Sequence, residues 1–418
     1  MAKDTPEKVD AKEEPKNFFG IFMHELTRGS LLIPILAIIT GLILGGFFVA
    51  ITTEEVYTTW SQSPLEAIGL GFEAAFKSYA ALFNGSIGNP GRIINALNGG
   101  DAQAIRSAFN PFLESLTKSV PYIFGGLAVA LGFRAGLFNI GAEGQIFIGA
   151  MTSVYVGYAV TGLPAIIHIP LALGAGFLGG ALWGFIPGWL KAKTGGHEVI
   201  NTIMMNYIAF RLTEYMLRGP LQRPETTNPI SPFIQASAEL PRFFGPPIRF
   251  HLGFILAIIA AYAVYWLLFK TRWGFDLRTV GANPNAARYA GMNITLVTVA
   301  AMSLSGGLAG LAGANEVLGV NHTLAPAFSS GFGFDSIALA LIGKSHPVGV
   351  VLAAILFGTL RNGAIQMQIA AQVPIDIISV MQALILAFIA APAIIRSIYR
   401  LRAPEQEDEG VFVRGWGG

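Results

Sequence analysis

The sequence predicts an all-α polytopic membrane protein of about ten transmembrane helices, some discontinuous, with both termini in the cytoplasm. Three observations predict it. Of 418 residues, 53% are hydrophobic and only 12% charged, against about 25% charged in an ordinary soluble domain, and mean hydropathy is +0.56. Apolar runs recur along the chain at lengths near the roughly 20 residues that a helix needs to cross a bilayer. When these runs are threaded alternately, Lys and Arg gather on one side, as cytoplasmic segments do.

Taken in order, residues 1–30 form a mixed-charge tail without a cleavable leader, in which Phe19, Phe22, Met23 and Leu26 fall at helical spacing and suit an interfacial helix or burial against the bundle. The run 31–51 is the first span. Residues 52–118 form an extracytoplasmic loop with room for one or two short helices, for instance around 101–109, but not for an independent core. The transmembrane core, 119–398, holds the further runs 120–133, 137–160, 166–190, 199–215, 252–269, 296–318, 334–342, 348–360 and 375–398. The runs 120–133 and 334–342 are too short to cross alone, so broken helices are expected there. A polar tail, 399–418, closes the chain. The loop 216–251 carries Arg218, Arg223, Arg242 and Arg249 on the side that should be poor in cations, an exception that long loops permit.

Composition also excludes. A formal net charge of +2 and the lack of a basic patch with interleaved aromatics argue against nucleic acid. With no cysteine there is no disulfide framework, thiolate metal site or cysteine nucleophile. No HExxH or GxSxG occurs, and the six histidines lack metal-ligand spacing, so no metal site and no catalytic residue is expected. Residues 338–345, ALALIGKS, match a relaxed Walker pattern. However, Leu, Ala, Leu and Ile stand where a phosphate loop needs glycines, so they build an apolar helix and leave Lys344 at the end of a short span.

Polar groups inside apolar runs are expensive and mark either a pathway or internal packing. The stretch FRAGLFNIGAEGQIFIGA, 133–150, carries four. Asn139 and Glu143 share a helix face, Gln145 follows, and Gly136, Gly141 and Gly144 permit a break or a tight helix contact. Either Asn139 and Glu143 line a polar path, or Glu143 pairs with Arg134 or a neighbouring helix. In HEVINTIMMNYIA, Glu198 suits a helix start, while Thr202 and Asn206 share a face and are lining candidates. Asn315 and Glu316 lie near the outer end of their run, Asp335 starts the next, and Arg361, Gln366, Gln368 and Gln372 decorate the following one.

Residues 270–295, with 275–292 at their centre, are the most polar interior segment on the cytoplasmic side. Asn283 or Asn285 can cap a helix with Pro284 in its first turn, Ala286 to Ala290 propagate it, and Gly291 can end it. Small residues there suit docking into another protein's groove, and equally suit a loop helix tucked under the bundle.

Four stretches, GLAVALGFRAGLFNIGAEGQ, GGHEVINTIMMNYIA, RTVGANPNAARYAGMNI and GFDSIALALIGKSHPVGV, occur in this order over residues 120–395. Together they resemble the permease subunits of bacterial ABC importers, in the nucleoside and simple-sugar branch of the ribose and branched-chain amino acid permease group. The resemblance implies a multi-pass subunit of the cytoplasmic (inner) membrane that carries nucleosides or simple sugars by alternating access. It implies a separate ABC ATPase that binds ATP and Mg, a second permease, expected to be a paralogue, and an extracytoplasmic solute-binding protein. It further implies that 281–291 is the coupling helix, with Gly281, Asn283, Pro284, Ala287, Arg288, Tyr289 and Gly291 as its working positions. An ion-coupled secondary transporter is the alternative, with Glu143 as the one strong coupling carboxylate.

Overall fold

The computed structural model describes residues 32–224 and 226–401. The proposed interfacial helix around Phe19 and the tail beyond 401 lie outside the described residues. Helix α1 (Leu32–Thr52) is followed by α2 (Glu54–Trp60), α3 (Pro64–Ser86), α4 (Pro90–Gly99), α5 (Ala102–Arg134), α6 (Ala142–Ala159), α7 (Ala165–Thr194) and α8 (Glu198–Arg218). After an irregular stretch come α9 (Gly253–Lys270), α10 (Arg272–Ala282), α11 (Pro284–Tyr289) and α12 (Ile294–Asn315), the last running on as a π turn, Glu316–Asn321. The chain then builds α13 (Phe332–Ile342), α14 (Pro347–Ala371), α15 (Ile375–Ala390) and α16 (Pro392–Ile398).

Among the described residues, six helices are long and apolar enough to cross a membrane, namely α1, α5, α7, α9, α12 with its π turn, and α14. The pair α15 and α16, bent by 90°, makes a seventh if it is one span. The protein is therefore an all-α polytopic membrane protein of six to seven candidate spans, some discontinuous. The expected ten included 137–160 and 199–215, which form α6 and α8. Both are long enough to cross but too polar to count by composition, because their inner faces carry groups that bond within the protein.

Two boundaries differ from expectation for a physical reason. The short run 120–133 is the end of a 33-residue helix capped by Asp101, whose carboxylate accepts from the Gln103 and Ala104 amides. The short helix expected around 101–109 is its first turns. Segment 52–118 also contains α3, 23 residues long. Antiparallel to α1, α3 sets Gly71 against Ala50 and Ala75 and Tyr79 against Gly46, and the Tyr79 hydroxyl donates to the Leu42 carbonyl halfway along α1. Amphipathic spacing, broken by Glu66, Glu73 and Lys77, hides α3 from a hydropathy reading.

Helix α5 is the mast of the bundle. In its apolar window 83% of residues are buried, against 28% for α7 and for α9, which lie at the periphery of the bundle. Tyr122, Ile123, Phe124, Leu127 and Leu131 are its largest fully buried side chains. Around it, α7 and α12 approach backbone to backbone. Gly176, Gly180, Gly184 and Gly188, one turn apart on α7, lie against Ala314, Gly310, Gly306 and Met302 of α12. Small residues at this spacing let helices pack by dispersion where lipid removes the hydrophobic drive. A Cβ on Gly310 would overlap the Gly176 carbonyl, whereas Gly174 has nothing within 4 Å. Gly310→Val should therefore lower stability by about 1–3 kcal/mol through overpacking, and Gly174→Ala should raise it slightly, by up to about 1 kcal/mol, because alanine is the better helix former. Thermal unfolding of the two variants in detergent measures the difference.

Candidate functional site

The stretch 133–150 becomes the end of α5, a break and the start of α6. Gly136, at φ +69°, turns the chain in a left-handed conformation that favours glycine, and the Leu137 amide returns to the Gly132 carbonyl at 2.9 Å. Asn139 is wholly buried and fixes the break. Its Nδ2 donates to Gln145 Oε1 and to Ser305 Oγ, both at 2.8 Å, while its Oδ1 accepts from the Gly141 amide and from Gln145 Nε2. Ser305 Oγ in turn donates to the Ala128 carbonyl at 2.7 Å. The cluster thus ties α5, α6 and α12 together. Asn206 of α8 takes the next position, accepting from the Gly144 amide at 2.8 Å and donating to the Ile140 carbonyl at 3.0 Å. Thr202, one turn earlier, donates to the Glu198 carbonyl and packs on Gly141. Asn139, Gln145, Thr202 and Asn206 are each at most 1% exposed and bonded within the protein, so in this conformation they make up one buried polar knot around the break.

Glu143 does not pair with Arg134. The two side chains hold opposite ends of α13. Glu143 Oε2 accepts from the Gly333 amide and Oε1 from Ser329 Oγ, both at 2.5 Å, so the carboxylate caps the start of α13. It also sits in the first turn of its own helix, α6, where the dipole again favours an anion. Arg134 donates to the Lys344 and Ser345 carbonyls beyond the far end of α13, both at 3.0 Å. Eleven residues rise about 16 Å, roughly half the hydrocarbon thickness. Glu143 thereby satisfies amides that a half-length helix leaves free in a dry interior, while the last carbonyls of α13 accept from the Gly343, Lys344 and Ser345 amides and the half-buried Arg134 ties down the turn that these residues form. Residues 338–342 are helical within α13, which disposes of the Walker-like match.

Toward the Ala102 end of α5, a row of charged groups continues from Glu143. The Tyr122 hydroxyl donates to Asp335 Oδ2 at 3.4 Å. Arg361 Nη2 donates to Ser330 Oγ at 2.9 Å and lies within electrostatic reach of Asp335. Lys118 and Arg249 lie in reach of Glu316, whose Oε2 accepts from Asn321 Nδ2, and Arg249 grips Glu114 through two guanidinium nitrogens. Asn315, 1% exposed, rests against Gly253 beside His251. In the loop ahead of α9, burial and the nearby Arg242, His322 and Arg249 push the His251 imidazole down to about 4, so this ring is neutral at physiological pH. Glu114, Lys118, Tyr122, Ser329 and Ser330 are not legible from the sequence as members of this row. Lys118, at the edge of an apolar run, is the one that offered a signal.

Helix α8 has a second, outward face. Tyr207, Tyr215, Met204 and Ile208 are exposed on it, and Glu214 bridges Arg211 at 2.9 Å and Arg218 at 3.1 Å. An exposed ion ladder on a helix of this length is costly against hydrocarbon.

At the Arg134 end lies the segment 281–291. Asn283 Oδ1 accepts from the Asn285 and Ala286 amides, both at 3.0 Å, Pro284 opens α11, and Gly291 leaves it at φ +80°. Ala287 is buried, while Arg288 is exposed and Tyr289 is 97% exposed. Gly281 meets Gly136 backbone to backbone, so that a Cβ on Gly281 would overlap the Arg134 carbonyl.

Residues 112–405 match the family of permease components of branched-chain amino acid transport systems. The chain belongs to this family. It is 39% identical over 377 residues to the guanosine ABC transporter permease protein NupP of Bacillus subtilis, covering 88% of this chain and 95% of that one. A glucose ABC transporter permease protein of Haloferax volcanii is 38% identical over 66% of this chain and 75% of its own length. The nucleoside ABC transporter permease protein NupB of Lactococcus lactis is 34% identical over 79% and 91%. No solved structure matches the chain. The protein is accordingly a multi-pass membrane permease subunit of an ABC importer, as found in the bacterial inner membrane, and not the subunit that hydrolyses ATP.

Replacing Glu143 by Leu strands the amides that begin α13 and should cost about 1–3 kcal/mol or more for the buried donors left unpaired. Glu143→Gln keeps one acceptor and should cost less. Thermal unfolding of the purified variants gives the order, and equal stability of Glu143→Leu and the parent would refute the capping role.

Proposed function

We propose that the chain forms one half of a translocation pathway for nucleosides, with simple sugars as the neighbouring class, and is driven through α11 by an ATPase subunit that binds ATP and Mg. The names of the similar permeases, guanosine and nucleoside in two cases and glucose in one, support this substrate order. About ten crossings, with α6 and α8 among them and both termini in the cytoplasm, fit the lysines and arginines around 1–28, 270–288 and 396–402. A second permease, by family resemblance a paralogue, would cover the ion ladder of α8, and an extracytoplasmic solute-binding protein would deliver the solute.

The carrying observation is the contact of Gly281 with Gly136. It joins the exposed, capped α11 to the Arg134 elbow, whose guanidinium holds the end of α13. Force applied at Arg288 and Tyr289 therefore reaches a half-helix without crossing a flexible loop. Movement of α13 would shift Ser329, Ser330 and Asp335 relative to Arg361 and Tyr122, opening or closing the polar row at the far end. Two discrete arrangements of one packed element are what alternating access requires. Asn315 and Glu316 flank this row, whereas Asn139, Glu143, Gln145, Thr202 and Asn206 hold the hinge behind it.

Arg288→Ala combined with Tyr289→Ala should reduce uptake by roughly tenfold or more, as loss of about 1–3 kcal/mol of coupling implies, and should abolish transport-stimulated ATP hydrolysis while membrane levels stay unchanged. Labelled guanosine uptake into vesicles containing the whole complex checks this, and normal uptake by the double variant overturns the coupling assignment. In the same vesicles, uptake should survive collapse of ion gradients while ATP is present.

A further inference from the structure

At the Ala102 end of the bundle, away from α11, lies a cavity of about 540 Å³, within the range of small-ligand sites. Two parts of the chain build it. Asn84, Asn89 and Arg92 come from α3, α4 and the turn between them, ahead of the family-wide region that starts at residue 112; Glu114, Lys118 and Gln366 come from within it.

The charges in this cavity do not balance. Glu114 is satisfied by the two nitrogens of Arg249. Lys118, one turn further along α5, has Glu114 and Glu316 in electrostatic reach, offset by Arg249 and Arg361, and among the described residues no carboxylate lies within ion-pair distance of it. Arg92, exposed at the start of α4, likewise has no side-chain partner among the described residues. The start of α4 itself, capped by Asn89, adds the positive end of a ten-residue helix dipole. Two unpaired cations, carboxamide donors on opposing walls and a helix N-terminus converge on one space, while the acid present is already neutralised.

We infer that this cavity is a binding site for an anionic phosphate group, held by Arg92 and Lys118 across the junction of α4 and α5. A phosphate offers several acceptor oxygens in different directions, which suits donors arriving from separate walls. Two sources share this chemistry: the headgroup of an anionic phospholipid and a soluble phosphate. An apolar margin runs beside the cavity, with Ile365 in its lining and Phe83, Phe112 and Ile369 exposed nearby, which gives acyl chains a bed. The cavity lies between α3, α4, α5, α14 and the loop ahead of α9, and it shares Glu114, Lys118 and Arg249 with the row of charged groups described above.

The test uses the full chain purified in a neutral detergent, with thermal unfolding followed on titration of phosphatidylglycerol, phosphatidylcholine or inorganic phosphate. Arg92→Gln with Lys118→Gln is compared with the parent. A stabilising response to phosphatidylglycerol that exceeds the response to phosphatidylcholine, and that weakens about tenfold in apparent affinity in the double variant, supports the site with a lipid as source. A response to inorganic phosphate with the same loss supports it with a soluble source. Arg92→Gln alone, an exposed position without a side-chain partner, keeps the comparison valid if Lys118 proves necessary for folding. Equal responses of parent and Arg92→Gln, or no response of the parent to either anion, overturns the inference.

Discussion

The constraint on which the rest depends is that no backbone amide or carbonyl can end unbonded in the hydrocarbon interior. A half-length helix such as α13 violates it at both ends. This chain resolves the violation with a backbone turn at 343–345 and two charged side chains from one stretch of sequence, Glu143 on the amides that start α13 and Arg134 on the turn that closes its carbonyl end. Because they belong to α6 and to the end of α5, capping α13 also fixes how those two helices sit about the break at 135–141. The local problem of helix termini and the global problem of helix placement have one solution.

The same economy runs through the neighbouring polar groups. Asn139, Gln145, Ser305 and Asn206 bond to one another and to the amides and carbonyls around the break. A partly satisfied knot in this environment would be worse than an apolar one, since each stranded group keeps its full desolvation penalty. Fully bonded, it makes a rigid elbow. The glycine seam between α7 and α12 supplies rigidity of another kind, by backbone contact without polar bonds. The elbow leans on Gly281, so the exposed α11 is the outer end of a stiff lever and not an isolated surface helix. This is the physical content of the proposed coupling.

Much of the organisation was legible beforehand. The capped helix at 283–291, the glycine-broken stretch after Arg134 and the helical nature of 338–342 follow from residue chemistry within ten positions or so. Helix α3 was not legible, because Glu66, Glu73 and Lys77 lower its average hydropathy although its other faces pack on α1 and α14. Nor was the full extent of α5, since its first half is polar and only Asp101 signals the start.

By itself the sequence determined the class, the permease family and the position of the capped helix at 283–291. These rest on composition, on contiguous motifs and on local capping, all of which are properties of neighbours along the chain. Only the tertiary structure decided what the buried charges do. Whether Glu143 lines a path, pairs with Arg134 or caps another helix depends on Gly333, 190 residues away, and the destination of Arg134 on Ser345, 211 residues away. Such partners leave no local pattern, because the hydrogen bonds that offset the cost of desolvating both groups form only once the helices are packed.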